Sequence, residues 1–320
     1  MNRCLILINQ NILLMKTITS AILAVILIFS VSLTASAQTG DKYTGALLWK
    51  VSGNGLSEPS YILGTHHLAH VSFVDDIPGL RDAMAKTQQT AGELLLSDEA
   101  AMQQKVQAAA MMPAGESYSK LLSAGDVQAL DEGLKSLIGA GLDQFGQFKP
   151  GMISMIYTIT LYTKLYPEFN PMSHEAIDSY VQRIARENGK SVLGLESVDD
   201  QIYALFEAEP LKDQAESLVC SIKSSHSAKE QLDKLNAYYK NGDLTGMYDL
   251  AFNNPDEPCE ISQTMQNAIN KDRNNKWVEK LPAIMKEKSN LIAVGALHLV
   301  GEEGILNQLA TKGYTVEPVK

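Results

Sequence analysis

Leu291-Ile292-Ala293-Val294-Gly295-Ala296-Leu297-His298 decides the fold. An unbroken apolar run of strand length leads into a glycine and, three residues later, a histidine. A continuous run of this kind suits a strand covered on both faces, as in sheets with helices on either side. Downstream, residues 302–312 read as a helix stopped by Gly313, and 315–319 as a further strand. Strand, helix, strand is the grammar of a parallel crossover. Upstream the signature recurs: Tyr61-Ile62-Leu63 runs into Gly64-Thr65-His66-His67. The strand at 60–64 forms an expected hairpin with 47–51 through Gly53-Asn54-Gly55.

Two more strands are expected. After a helix over 79–87, residues 90–96 read as a strand carrying Glu93 inside an apolar segment. Residues 191–195 form another that ends at Glu196, between a helix capped by Ser173 and closed at Asn188-Gly189 and a helix over 198–208. The regions of about 98–188 and 211–288 are otherwise helix-rich, and the nearly uncharged 152–166 is expected to be buried. The fold class is α/β: a central mixed β-sheet flanked by helices, with a large α-helical insertion. In such sheets ligands bind beyond the carboxyl ends of the strands, where His67, Glu196 and His298 are expected to fall.

Each Gly-x-x-His can deliver an imidazole at a strand exit, with Gly64 and Gly295 allowing a sharp turn or a close approach. If the two strands are sheet neighbours, His67 and His298 converge on one metal or substrate. Two imidazoles and Glu93 are a workable set for a divalent ion with an open position, which would activate water and polarise a carbonyl. Glu93 or Glu196 could then take the water's proton, and Arg273 could hold a substrate carboxylate or stabilise an oxyanion. No H-E-x-x-H motif is present, so zincin chemistry has no support. Plainer readings stand beside these: a core role for His67, a buried Glu93–Arg273 ion pair, Glu196 as a helix cap, and surface positions for Arg273 and Asn274. His66 reads as structural, His70 as a rim ligand, and His174 and His226 as solvated or capping.

The amino terminus reads as a secretory signal peptide over 1–37. Lys16 precedes a short apolar stretch over 18–33, and Ala35-Ser36-Ala37 fits a cleavage site, with Met15 a candidate true start. Residues 38–320 would then form a single domain, exported to the periplasm or secreted in a bacterium, meeting the membrane only through the uncleaved leader. Cleavage removes Cys4 and leaves Cys220 and Cys259, an even pair suited to a disulfide in an oxidising compartment. The loop of about 40 residues it would close is worth roughly 3 to 4 kcal/mol. With 37 acidic against 27 basic residues and a formal charge of −10, nucleic acid and anionic lipid are poor partners.

An ordered set of segments resembles the TraB/GumN family, whose animal relatives are the Tiki proteins. The set runs from Leu48-Trp49-Lys50-Val51 through Ile62–His67, Glu93, Gly194-Leu195-Glu196-Ser197 with Gln201, and Asp272-Arg273-Asn274 with Trp277, to Val294–Gly301 and Gly313-Tyr314. The family is grouped with erythromycin esterase-like and ChaN-like proteins, and the Tiki members are regarded as proteases active with manganese or cobalt. The resemblance implies that His67 and His298 are the paired histidines and Glu93 their acid, with Glu196 a second acidic strand end and Arg273-Asn274 a polar pair. This chain has Leu94-Leu95 where a further acid would be expected. The implied activity is metal-dependent hydrolysis of a peptide or protein substrate. The alternatives are a periplasmic protein that binds peptide, metal or haem without turnover, and an inhibitory or scaffold protein acting through its helices.

Overall fold

The computed structural model describes residues 43–96, 99–170, 173–254, 259 and 261–320. The segment read as a signal peptide, with Cys4 and Met15, lies outside them. Six strands form one sheet: β1 (Leu48–Ser52), β2 (Ser60–Thr65), β3 (Gln89–Gly92), β4 (Ser191–Gly194), β5 (Asn290–Gly295) and β6 (Thr315–Pro318), in the order β4-β3-β5-β2-β1-β6. β4, β3, β5 and β2 run parallel, while β1 is antiparallel to both β2 and β6. The sheet is therefore mixed. β5 is buried along all six residues, as its unbroken apolar run requires.

The register aligns the two Gly-x-x-His strands. β2 and β5 are direct neighbours, with Gly64 opposite Val294 and Thr65 opposite Gly295. Beyond β5 the chain turns at once into a short 3-10 helix, Ala296–His298. A Cβ on Gly64 would lie 3.2 Å from the Ala296 Cα and 3.3 Å from its Cβ. Glycine at 64 thus admits the turn after β5 against the end of β2.

Several boundaries differ from expectation. β3 stops at Gly92, so Glu93 leaves the strand rather than sitting inside it. Its carboxylate, not a backbone carbonyl, accepts the Gly295 N–H at 2.7 Å. The helix expected from a Ser173 cap begins at Ile177 with Ala176 in the capping position. Ser173 is used elsewhere, donating its N–H to Asn170 O at 3.1 Å to close a separate turn. β6 runs parallel to β5, as a crossover demands, but β2 and β1 lie between them.

The described residues fall into two compact units, 99–170, 173–174 and 205–223 in one and the remainder, with the whole sheet, in the other. The first is helical, with helices Ala124–Ile138, Pro150–Leu165 and Leu211–Lys223 packed on one another. Pro150 opens its helix where no N–H is needed, and Gly139 closes Ala124–Ile138 with a left-handed φ of 87°. The nearly uncharged Pro150–Leu165 buries nine residues, including Ile153, Ile156 and Ile159. Cys220 and Cys259 are disulfide-bonded. Among the described residues no helix is long and apolar enough to cross a membrane.

Candidate functional site

Four adjacent parallel strands present their carboxyl ends along one edge of the sheet. In spatial order the residues just beyond them are Glu196 after β4, Glu93 after β3, His298 after β5 and His67 after β2. The helix Asp272–Glu287, which precedes β5, supplies Arg273, Asn274 and Trp277, all buried. It is entered through a π turn, Asn267–Lys271, a local widening often found at functional sites.

Arg273 is the hub, and its guanidinium has a partner for every N–H. Nε donates to Glu196 Oε2 at 3.0 Å and, more weakly, to Oε1 at 3.2 Å. Nη2 donates to Glu196 Oε1 and to Glu93 Oε2, both at 2.6 Å. Nη1 donates to Ile269 O at 3.2 Å and to His298 Nε2 at 3.1 Å. The side chains of Arg273, Glu196 and His298 are 4%, 2% and 2% exposed, and that of Glu93 11%, so little water screens them. The plainer alternative of a surface position for Arg273 therefore falls: this is a buried ionic cluster, and Glu93 does pair with Arg273. Charges so buried persist only when paired and hydrogen-bonded, a condition these contacts meet.

His298 has a defined tautomer. Asn274 Nδ2 donates to Glu303 O and Asn270 Oδ1, which orients its Oδ1 toward His298 Nδ1 at 2.7 Å. Nδ1 must therefore carry the proton, leaving Nε2 to accept from Arg273. Burial, with Arg273 alongside, holds the His298 pKa down at about 3, so the ring is neutral. Asn274, for which a surface amide was the plainer alternative to a supporting role, is fully buried. Trp277 meets the His298 ring at a tilt of 53° with ring centres 4.6 Å apart and lies under the guanidinium at 4.7 Å, while its Nε1 donates to Glu196 Oε2 at 3.1 Å.

The two carboxylates diverge. Burial works against ionised Glu93, but Arg273 first, and the Gly295 amide with it, outweigh burial and hold the carboxyl at about 2. At Glu196 burial wins over Arg273 and pushes its pKa up. Glu196 is not the cap of the following helix; Ser197 is, its Oγ accepting from the Asp200 N–H at 3.2 Å.

His67 differs from the other three. Its Nδ1 lies 3.3 Å from Asp178 Oδ1, on the helix Ile177–Glu187, and its side chain keeps 14% exposure. Burial disfavours its charge, but Asp178 more than compensates, through its charge and hydrogen bond, so the pKa rises above 6.5. The electrostatic influence of Glu93 and Arg273 reaches His67, placing it in the same polar centre. Gly295 admits the close packing, since a Cβ there would lie 3.3 Å from Glu93 Oε1 and 3.4 Å from His298 Cδ2. At the end of β2, the Thr65 side chain is buried.

The structure thus brings together His67, Glu93, Glu196, Arg273, Asn274 and His298 around Gly64 and Gly295, and leaves His70 out. His70 is exposed, and its Nδ1 caps the 3-10 helix Val71–Asp76 by accepting the Ser72 N–H at 3.1 Å. His66 is structural, its ring 5.2 Å from that of Tyr239 and its Nδ1 accepting the Leu68 N–H. Sequence reasoning assigned no part to Asp178 or Asn270, and named Trp277 only within a segment that carries the family resemblance. Asn270, Arg273, Asn274 and Trp277 recur at helical spacing, and that polar stripe was the available signal. Asp178 had none.

As arranged, the donor set does not fit a divalent cation. The lone pair of His298 Nε2 and an oxygen of each carboxylate are already engaged by one permanent cation, Arg273. Among the described residues no three His, Cys, Asp or Glu side chains converge to hold a metal ion. Nor is Arg273 free to grip a substrate carboxylate, since all five of its N–H groups are committed.

No curated protein and no solved structure matches the chain significantly. The family model for TraB/PrgY/gumN matches residues 47–318, which include every strand of the sheet and every residue of the site, and the chain belongs to this TraB/PrgY/gumN family.

Proposed function

We propose that the chain is a hydrolase acting on a peptide or related acyl bond at the carboxyl edge of the sheet, with His67 as the group that moves the proton. The observation that carries this reading is the His67–Asp178 pair. It is a partly accessible imidazole, oriented through Nδ1 by a carboxylate, at a strand exit beside a fully satisfied charged cluster. Asp178, through its charge and hydrogen bond, raises the His67 pKa against burial, and histidine is the side chain most often used for general acid–base work.

Water then loses a proton to His67 as its oxygen bonds to the scissile carbonyl carbon. The same proton passes to the leaving nitrogen as the C–N bond breaks, yielding a carboxylic acid and an amine. Glu93, Arg273, Glu196 and the neutral His298 act as a rigid polar floor rather than as proton carriers, because each is buried and engaged. Such preorganised charge needs no rearrangement during reaction. Export to an oxidising compartment belongs to the same proposal, supported by the leader-like amino terminus and the disulfide-bonded Cys220 and Cys259.

The test is a peptide-library digest of the purified protein, read by mass spectrometry, beside His67→Ala and Asp178→Asn. Cleavage by the wild type that His67→Ala abolishes and Asp178→Asn weakens is expected. Equal cleavage by His67→Ala, or none by folded wild type across the library, refutes the assignment and favours binding without turnover.

A further inference from the structure

We propose that the guanidinium of Arg273 is the resident cation of this centre, standing where a divalent metal ion would otherwise bind between Glu93, Glu196 and His298. The inference rests on geometry and does not require the hydrolase reading. Two carboxylates and a neutral imidazole with a free lone pair are a donor set that transition metals accept readily. Here those donors face one planar fork: Nη2 reaches Glu93 Oε2 and Glu196 Oε1, Nε reaches Glu196 Oε2, and Nη1 reaches His298 Nε2.

Three supports hold the fork in place and show that it is not a casual neighbour. Ile269 O accepts the remaining Nη1 hydrogen from within the π turn. Trp277 lies beneath the guanidinium plane. Asn274 fixes His298 with its Nε2 lone pair toward the arginine. A metal ion entering the cluster would have to displace a satisfied guanidinium or lie beside it against like-charge repulsion. The chain that most resembles a metal site by sequence therefore carries its positive charge on a side chain. Removing that side chain should let Glu93, Glu196 and His298, which do not converge on one point while the guanidinium lies between them, close on a metal ion.

Cobalt and manganese binding to the chelator-dialysed full chain decides the matter, read by cobalt d–d absorption and by the manganese resonance signal, independently of any cleavage. Five proteins are compared: wild type, Glu93→Gln, His298→Ala, Arg273→Met and the Arg273→Met, Glu93→Gln double variant, with circular dichroism reporting whether each is folded. The expected result is that wild type shows no binding that Glu93→Gln or His298→Ala removes. Arg273→Met should gain about one equivalent of cobalt, lost again in the Arg273→Met, Glu93→Gln double variant. Wild-type binding that neither Glu93→Gln nor His298→Ala changes lies outside the cluster and agrees with the proposal. Stoichiometric wild-type binding abolished by either substitution overturns it, as does a folded Arg273→Met that takes up no cobalt. Should Arg273→Met not fold, the wild type, Glu93→Gln and His298→Ala still decide: loss of binding overturns the proposal, and insensitivity upholds it.

Discussion

Replacing Arg273 by methionine in metal-free buffer removes the shared partner of two buried carboxylates, and the structure sets the size and pH dependence of the damage. Breaking a buried ion pair from one side costs about 3–5 kcal/mol, because the remaining charge is stranded. Arg273 serves Glu93 and Glu196 with side-chain exposures of 11% and 2%, so the upper part of that range applies at pH 7.5. Against a typical stability of roughly 5–15 kcal/mol, the variant should fold but be marginal. At pH 5 the loss should shrink by about 1–2 kcal/mol. Without the guanidinium, His298 regains its basicity, and its imidazolium, 3.9 Å from Glu93 Oε1, replaces part of the missing charge. Urea denaturation followed by tryptophan fluorescence is the assay. Both tryptophans, Trp49 and Trp277, lie in the sheet-bearing unit, so the signal reports the unit that was altered. A loss below about 1 kcal/mol, or an equal loss at the two pH values, would refute the claim that Arg273 neutralises a buried cluster.

Acid should destabilise the wild type in two overlapping windows. The unfolded His298 binds a proton near 6.5 and the folded one only near 3, so stability falls as pH drops between those values, by up to about 1.4 kcal/mol per pH unit. Glu93 has a folded pKa of about 2 against 4.5, so its contribution is lost between 4.5 and 2. Denaturation midpoints measured from pH 8 to 4 should decline with this slope and flatten in His298→Leu; an unchanged slope in that variant contradicts the assignment. Gly64→Ala should cost about 1–3 kcal/mol, because its Cβ would press on the Ala296 backbone at 3.2 Å. Thermal melting checks this, and a neutral effect means that the turn after β5 can yield. Asn274→Leu leaves the His298 Nδ1–H without its acceptor and should cost about 1–3 kcal/mol, measured by urea midpoint; a cost near zero would show that Asn274 does not hold the ring.

The carboxyl edge of the sheet was legible because its strands are short apolar runs closed by glycine. Gly64 and Gly295 each precede a histidine by three residues, and parallel pairing brings the strand ends together. The interior of the centre was harder to read. Arg273 lies in a stretch with Asp272, Lys276, Glu279 and Lys280, which reads as a solvated face. Only the spacing of Asn270, Arg273, Asn274 and Trp277 betrays the opposite face, turned inward. Asp178 reaches His67 from 111 residues away, and no local pattern encodes such a pairing. Ser173 misled because cap preference is a local signal, whereas its N–H serves a turn of its own. Glu93 sat one residue beyond its strand, since its carboxylate takes the Gly295 N–H and ends the ladder.

The central claim is that the centre is organised around a charged Arg273 with a neutral His298 locked against it. The nitrogen-15 spectrum of the imidazoles between pH 8 and 5, assigned with His298→Gln, tests it most directly. His298 is expected to stay neutral throughout, protonated on Nδ1 and accepting a hydrogen bond at Nε2. An Nε2-protonated ring, or a His298 that becomes imidazolium above pH 5, would contradict it.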